Sequence, residues 1–386
     1  MSIVYILGAG ASYGDDFKVL ENAPEGAPVT ETAPPLTSGF FARSLYDSLR
    51  YPGMQAEEDF PEVFDYIRWL NVISDQVGEG LWSSANLEDI FTAIELRRQF
   101  SNPESDNGAR LQIIRNKLIR YIWRIIGLAT VHKYGVFSKK LVEALQPDDS
   151  LITFNWDLLL DQELWTPTGP PLEKKQYLGF FSGVLKDFSS LQGNHYHLDS
   201  ETKGLFLKLH GSLNWVQCTN PGCPGWHKIE LDEDSTGCLN RAIGIHVTGE
   251  YCKRCGSDTI PLLIPPLLHK PVLDNWIFRS IWGLAHKRLE EASTVVVVGF
   301  SAAPTDFYAA WLLRSSVGLR KEANVFVVNP SNIAGTEEHS GFANRMGRIF
   351  PHGYNSDFYA ISQLDEIMRR VTENGLEGDG LGAGVP

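Results

Sequence analysis

The sequence of 386 residues has no apolar run approaching the roughly 20 residues that a membrane-spanning helix needs. Its N-terminus, MSIVYILGAG, has neither the basic lead-in nor the cleavage site of a secretory signal peptide. The five cysteines are an odd number and lie between Cys218 and Cys255, which is not the pattern of a disulfide framework. These absences predict a soluble cytoplasmic protein that does not engage a membrane.

A surplus of basic residues is also missing, since 34 Lys and Arg stand against 47 Asp and Glu, for a formal net charge of −13. Proteins that coat nucleic acid neutralise phosphates with Lys and Arg, so we expect no direct nucleic-acid binding. Hydrophobic residues make up 43% and charged residues 21%, which is typical of a globular chain. The length suits two or three domains, or one large core with insertions.

Short apolar runs are the clearest secondary-structure signal in the chain. They are Ile3–Leu7, Leu151–Phe154, Leu205–Leu209, Val295–Val298 and Val325–Val328. None alternates with polar residues, which is typical of strands buried on both faces. Helical patterns lie between the runs, so the sequence predicts an α/β fold built on a Rossmann-like, doubly wound parallel sheet.

Two segments interrupt this plan. One contains helical patterns and no convincing strand, including a helix capped by Asn86 and an apolar stripe from Leu111 to Ala129, and the other holds all the cysteines. The predicted division is 1–39 first strand and cofactor-binding loop, 40–147 helical insertion, 148–212 Rossmann core, 213–262 small zinc-binding lobe, 263–373 Rossmann core and 374–386 flexible tail. Within the first part, the proline-rich residues 15–39 predict a long functional loop.

Glycines and polar side chains directly follow each predicted strand. They are Gly8-Ala9-Gly10-Ala11-Ser12, Asn155-Trp156-Asp157, His210-Gly211-Ser212, Gly299-Phe300-Ser301 and Asn329-Pro330. Ligands of open parallel sheets bind beyond the carboxyl ends of the strands, so we expect these groups to surround one site. Gly8 and Gly10 would let the backbone approach a pyrophosphate, although Tyr13 stands where dehydrogenases have a third glycine. Each motif alone is also compatible with a turn, a cap or a structural histidine, and only their convergence favours a functional site.

The cysteines form two knuckles, Cys218-x4-Cys223 and Cys252-x2-Cys255. Four thiolates from two knuckles satisfy tetrahedral zinc, which predicts a structural zinc ion. His227 is a possible substitute ligand and Cys238 is expected to be a spectator. Ordinary reduced cysteines are the alternative interpretation.

The motifs GAGAS, TFNWD, KLHGS, GFS and VVNP, in this order, resemble those of the sirtuin family of NAD-consuming enzymes. The resemblance implies catalytic roles for Asn155 and His210, with Asp157 facing the nicotinamide amide of NAD. Sirtuins carry a similar four-cysteine lobe, which supports the zinc assignment. The residues that the resemblance places around NAD are Gly8, Ala9, Gly10, Ser12, Gly299, Ser301 and Asn329.

Two function classes remain open, an NAD hydrolase and an NAD-dependent protein deacylase. Deacylating sirtuins follow the zinc lobe with a V-x-F-G-E stretch that pairs with the acyl-lysine peptide, whereas this chain has LLIPPLLHK, whose prolines remove backbone donors. Phe154 also replaces the glutamine usual in deacylases. The segments NLEDIFTAIE and TDFYAAWLLRSS resemble the sirtuin-like NAD hydrolases of bacterial anti-phage defence. We therefore expect a hydrolase, with a non-enzymatic NAD or ADP-ribose binder as a third, weaker possibility.

The chain contains no P-loop and no recognisable sensor domain. An NAD-destroying enzyme needs a trigger, and the resemblance implies an oligomer paired with a HerA-type hexameric ATPase. Exposed Trp69, Arg97, Arg98 and Trp123 in the helical insertion are candidate contacts for such a partner. The alternative is that they belong to an ordinary packed helical layer.

Overall fold

The structure is a computed structural model, and it describes residues 2–19, 33–50, 55–71, 79–130, 133–146, 148–165, 205–220, 222–223, 251–252, 255–265 and 276–378. Among the helices in these ranges, none combines the length and the apolar character needed to cross a bilayer.

The strands are β1 (Ile3–Leu7), β2 (Phe17–Val19), β3 (Lys133–Gly135), β4 (Ser150–Thr153), β5 (Phe206–Lys208), β6 (Gly211–Cys218), β7 (Thr259–Leu263), β8 (Thr294–Val298), β9 (Asn324–Val328) and β10 (Asn355–Phe358). Six of them form one sheet in the order β10-β9-β8-β1-β4-β5, and every neighbouring pair is parallel. The predicted Rossmann-like parallel sheet is confirmed, and each of the five predicted runs is a strand to within one residue at either end.

The sixth strand of this sheet, β10, was not predicted. Its sequence, Asn355-Ser-Asp-Phe358, is polar, and only Phe358 is buried. The strand lies at the sheet edge and pairs with β9 alone, so its exposed side chains need not be apolar. Apolar runs therefore identify the central strands of the sheet and miss this one.

The helices are α1 (Ala9–Tyr13), α2 (Phe40–Arg50), α3 (Ala56–Asp59), α4 (Pro61–Asn71), α5 (Glu79–Ser84), α6 (Leu87–Phe100), α7 (Asp106–Thr130), α8 (Val136–Ala144), α9 (Leu159–Trp165), α10 (Trp276–Glu291), α11 (Phe307–Leu313), α12 (Glu337–Ile349) and α13 (Leu364–Gly378). As predicted, Asn86 caps α6, accepting a 2.8 Å hydrogen bond from the Glu88 amide. Helices α2 to α7 share a hydrophobic core around the buried ring of Tyr121, separate from the core of the sheet.

Four local expectations from the sequence differ from the structure, and the first two concern the segments 15–39 and 40–147. Residues 40–147 contain the strand β3, and the predicted loop 15–39 contains the strand β2. These two strands pair antiparallel with each other. The buried carboxylate of Asp15 holds this pair by accepting hydrogen bonds from the amides of Phe137 and Ser138 at the start of α8. Burial raises the pKa of Asp15, and these hydrogen bonds oppose the shift.

Trp123 is not an exposed contact residue. Only 9% of it is accessible, and its indole Nε1 donates a 2.9 Å hydrogen bond to the Leu213 carbonyl. A tryptophan on the buried stripe of α7 satisfies its polar atom inside the protein. The tail predicted from Asn374 also begins inside a helix, since α13 extends to Gly378, and no proline interrupts the helix before that point. Residues 379–386 lie outside the described residues.

The second small sheet pairs β6 antiparallel with β7 and carries part of the cysteine lobe. Cys218 is the last residue of β6, and Cys223 follows shortly after it. Cys238 and His227 lie outside the described residues.

Candidate active site

Three glycines bring the loop after β1 against the loop after β8. Gly299 has φ +64°, and a Cβ at this position would lie 2.1 Å from the amide nitrogen of Ala11. A Cβ on Gly8 or Gly10 would meet the Gly299 carbonyl oxygen at 2.6 or 2.8 Å. The amide of Gly10 donates a 2.9 Å hydrogen bond to that same carbonyl. Only glycine permits this close approach, which places the start of α1 at the carboxyl edge of the sheet.

A chain of hydrogen bonds joins the loop after β1 to the loop after β4, the parallel neighbour of β1. Asn155 Nδ2 donates to Ser12 Oγ over 2.8 Å, and Ser12 Oγ donates to Asp157 Oδ2 over 2.7 Å. Asn155 Nδ2 also lies 3.0 Å from the Gly8 carbonyl oxygen. The other Asp157 oxygen accepts from the Leu159 amide at the start of α9 over 3.2 Å. The predicted residues Ser12, Asn155 and Asp157 are therefore in direct contact.

A buried ion pair lies behind this chain. Lys208, the last residue of β5, is 1% exposed, and its Nζ lies 2.7 Å from Asp161 Oδ2 and 2.5 Å from the Asp157 carbonyl oxygen. Burial raises the pKa of Asp161, and the Lys208 ammonium opposes this shift without cancelling it. A small cavity touches both the chain and the pair. Its polar lining is Ser12, Ser138, Thr153, Asn155, Asp157, Asp161 and Lys208.

His210 follows β5 and lies among aromatic rings. Its ring centroid is 5.1 Å from that of Phe154 and 6.2 Å from that of Trp282, and Phe154 in turn stacks on Phe300 at 5.4 Å. The residue is 8% exposed. Its backbone carbonyl accepts hydrogen bonds from Trp156 Nε1 at 3.0 Å and from the Ile264 amide at 2.8 Å. The imidazole is therefore held at the carboxyl edge of the sheet against the rings of Phe154 and Trp282.

The remaining predicted residues lie at the carboxyl ends of β8 and β9. Asn329 Nδ2 donates to the Phe300 carbonyl over 3.2 Å, and Asn329 Oδ1 accepts from the Ser331 amide over 2.9 Å. The carbonyl of Ser301 accepts a 3.2 Å hydrogen bond from Arg345 Nε on α12. The parallel sheet thus delivers all the residues predicted for catalysis and cofactor binding to one edge, as the topological rule requires.

The ion pair of Lys208 with Asp161 and the ring of Trp282 were missed from the sequence. A signal for Lys208 was present, because a lysine between leucines in a strand buried on both faces requires a buried counter-charge. The partner could not be identified, since Asp161 lies 47 positions earlier in the chain.

The four predicted cysteines converge into one cluster. Their Sγ atoms all lie within 4.8 Å of one another, with 3.5 Å between Cys218 and Cys255 and 3.7 Å between Cys223 and Cys252. Ligands about 2.3 Å from a tetrahedral zinc lie roughly 3.8 Å apart, close to these two separations of 3.5 and 3.7 Å, so the four thiols could hold this metal. Burial raises the pKa of Cys218 to about 12, while hydrogen bonding from Ser257 lowers that of Cys255 to about 6.

No family model matches the sequence, and no curated protein matches it either. Among solved structures, the chain is similar to a Sir2 homologue in complex with NAD, with 15% identity, a TM-score of 0.37, and coverage of 97% of this chain and 90% of the other. It is also similar to a mutant Sir2 homologue in complex with ADP-ribose, with 14% identity, a TM-score of 0.37, and coverage of 99% and 95%. The identities and TM-scores of these two neighbours are low, so the neighbours assign no chemistry to this chain.

Proposed function

We propose that this protein is an NAD hydrolase that cleaves the nicotinamide–ribose bond and yields nicotinamide and ADP-ribose. The observation that supports the proposal is that Asn155, His210 and the packed glycines Gly8, Gly10 and Gly299 all follow strands at the same edge of the sheet, with Asn155 in contact with Gly8. The order of these motifs along the chain, which resembles that of sirtuins, identifies the expected substrate. NAD is the substrate in this scheme rather than a retained cofactor.

The proposed mechanism separates neutral nicotinamide from an oxocarbenium-like ribose. The Asn155 amide orients ribose hydroxyls and the attacking water, and the His210 imidazole accepts the proton that this water loses. Asp157 is the group expected near the nicotinamide amide. The two acidic side chains here have other partners, since Asp157 binds Ser12 and Asp161 binds Lys208. This arrangement favours direct attack by water over a covalent carboxylate intermediate.

The alternative function is that of an NAD-dependent protein deacylase, and three features favour the hydrolase over it. The Ile264 amide already donates to the His210 carbonyl, and Pro265 has no amide hydrogen, so neither offers a donor to an added peptide strand. Phe154, which stands where deacylases usually have glutamine, packs its ring against those of His210 and Phe300.

We also propose that Cys218, Cys223, Cys252 and Cys255 hold one zinc ion. Four thiolates complete a tetrahedral shell and leave no position for water, so the role of the metal is structural. Its contribution would be to tie the end of β6 to the segment before β7, and it takes no part in the reaction.

The biological setting that we propose is bacterial anti-phage defence in the cytoplasm, with the protein acting as an oligomer together with a HerA-type hexameric ATPase. In the helical insertion, the Arg97 guanidinium lies 4.2 Å from the ring centroid of Trp69, which is 51% exposed. This pair is the preferred contact for the ATPase. Arg98 is a weaker candidate, because it is already bonded to Glu95 and Gln112.

The decisive experiment is incubation of the purified protein with NAD, alone and with the ATPase, followed by chromatographic separation of the products. Nicotinamide and ADP-ribose released in equal amounts without an added peptide would support the hydrolase. In a second experiment, acetyl-lysine peptides are added to the reaction. If the protein is a hydrolase, we expect no deacetylation and no change in the rate of NAD loss. Efficient deacetylation of several unrelated peptides would favour the deacylase instead.

A further inference from the structure

A buried lysine side chain is unusual in the centre of a protein and needs a reason. Lys208 is 1% exposed, and an ammonium group without partners would be strongly disfavoured there. Asp161 supplies the counter-charge at 2.7 Å. Buried ion pairs of this kind are often replaceable by apolar residues without loss of stability, so stability alone does not explain the pair.

The second contact of Lys208 indicates what the pair does. Its Nζ donates to the Asp157 carbonyl oxygen over 2.5 Å, and this residue lies in the loop that carries Asn155. The Asp157 carboxylate accepts from Ser12, which accepts from Asn155. The ammonium is therefore connected to the Asn155 amide through three consecutive short contacts.

Lys208 also stands two positions before His210, at the end of the same strand. One side chain thus fixes the loop after β4 relative to the loop after β5, the two loops that carry Asn155 and His210. Asp161 lies one helical turn beyond Asp157, on α9, and keeps the Lys208 ammonium aimed at that turn. A small cavity borders these contacts, and Asp157, Asp161 and Lys208 all contribute to its lining.

We propose that Lys208 and Asp161 are positioning residues for NAD cleavage, and that their buried pair sets the distance between Asn155 and His210 by holding the Asp157 backbone. Neither residue takes part in bond breaking. The inference rests on the proposed NAD hydrolase function.

The test compares the single variant Lys208→Met with the double variant Lys208→Met/Asp161→Leu in the full chain. The single variant leaves the Asp161 carboxylate buried without its partner and is expected to fold poorly. The double variant removes both charges and is expected to fold with the thermal stability of the wild type. Because displacement of a catalytic group by about 1 Å can cost about 100-fold in rate, we expect its kcat to fall about 100-fold while KM for NAD stays within about twofold.

The matched control is Lys140→Met/Asp365→Leu, which removes a lysine–aspartate pair at 3.2 Å on the surface and is expected to leave kcat unchanged. A purely structural role for the buried pair predicts that the stable double variant regains wild-type kcat, and this result would overturn the proposal.

A crystal structure of the double variant gives a readout that needs no activity. We expect Asp157 to separate from Ser12, and Asn155 to shift relative to His210. The proposal would also be overturned if the double variant kept the wild-type distances, which are 2.7 Å between Ser12 Oγ and Asp157 Oδ2 and 2.8 Å between Asn155 Nδ2 and Ser12 Oγ. If the wild type itself fails to cleave NAD, the hydrolase proposal fails, and the crystal structure still decides the positioning role.

Discussion

The Ser12 hydroxyl donates a 2.7 Å hydrogen bond to the Asp157 carboxylate, although the two residues are 145 positions apart in the chain. The parallel pairing of β1 with β4 makes this contact, because it sets the ends of the two strands side by side. Asn155 completes the arrangement by donating to the same hydroxyl. One serine thus connects the residue proposed to orient ribose with the residue expected near nicotinamide.

Removing either proposed catalytic side chain should abolish NAD cleavage. Positioned acid–base groups contribute about 100-fold or more to such a rate, so we expect Asn155→Ala and His210→Ala each to lower kcat at least about 100-fold. The exposed residues Asn344 and His352 provide matched controls, and their alanine variants should retain full activity. Undiminished NAD loss in either site variant would refute the assigned mechanism.

The glycine contact should be required for NAD binding as well as for folding. Gly299→Ala would place a Cβ 2.1 Å from the Ala11 amide nitrogen at φ +64°, so the loops after β1 and β8 must separate. Gly335 has a similar φ of +87°, but a Cβ there would meet no heavy atom within 4 Å, and its alanine variant therefore tests backbone strain alone. We expect Gly335→Ala to lower the free energy of unfolding by roughly 1 kcal/mol, and Gly299→Ala to lower it further and weaken NAD binding in calorimetry. Equal effects of the two variants on stability and affinity would contradict a role for the close contact between the loops after β1 and β8.

The cysteine cluster should contain one zinc ion per chain. Elemental analysis of protein purified without chelators is expected to find this ratio, and serine substitution at any of the four cysteines is expected to abolish it. Cys238→Ser serves as the control and should leave the zinc content unchanged. Metal-free protein with normal stability would show that the thiols are ordinary reduced cysteines.

The oligomer and its partner can be tested separately. Light scattering of the isolated chain at micromolar concentration should show a species larger than a monomer, and a strict monomer would contradict the first part. Trp69→Ala should reduce co-elution with the proposed HerA-type ATPase. Trp311→Ala is the matched control, because this residue is 52% exposed on α11, outside the helical insertion, compared with 51% for Trp69. Loss of co-elution in both variants, or in neither, would argue against the proposed contact.

Much of the sheet was readable from local sequence. Buried parallel strands require apolar side chains on both faces, so runs such as Ile3–Leu7 and Val295–Val298 can be recognised as strands from the sequence. The polar edge strand Asn355–Phe358 and the short pair β2–β3 carried no such signal. These strands form because the backbone groups of a neighbouring segment are available for pairing. That availability depends on the folded chain and not on the local sequence.

Local sequence was enough to predict which chemical groups meet, because a parallel sheet brings whatever follows its strands to one edge. The glycines, Asn155, Asp157 and His210 were identified in this way, and the four cysteines were identified from the spacing of their two knuckles. The bonds that join these groups are visible only in the folded chain. The structure showed Ser12 bridging Asn155 and Asp157, Trp123 turned inward to Leu213, and Lys208 buried against Asp161. Such pairings depend on distances between residues far apart in the chain, and no local pattern of residues encodes those distances.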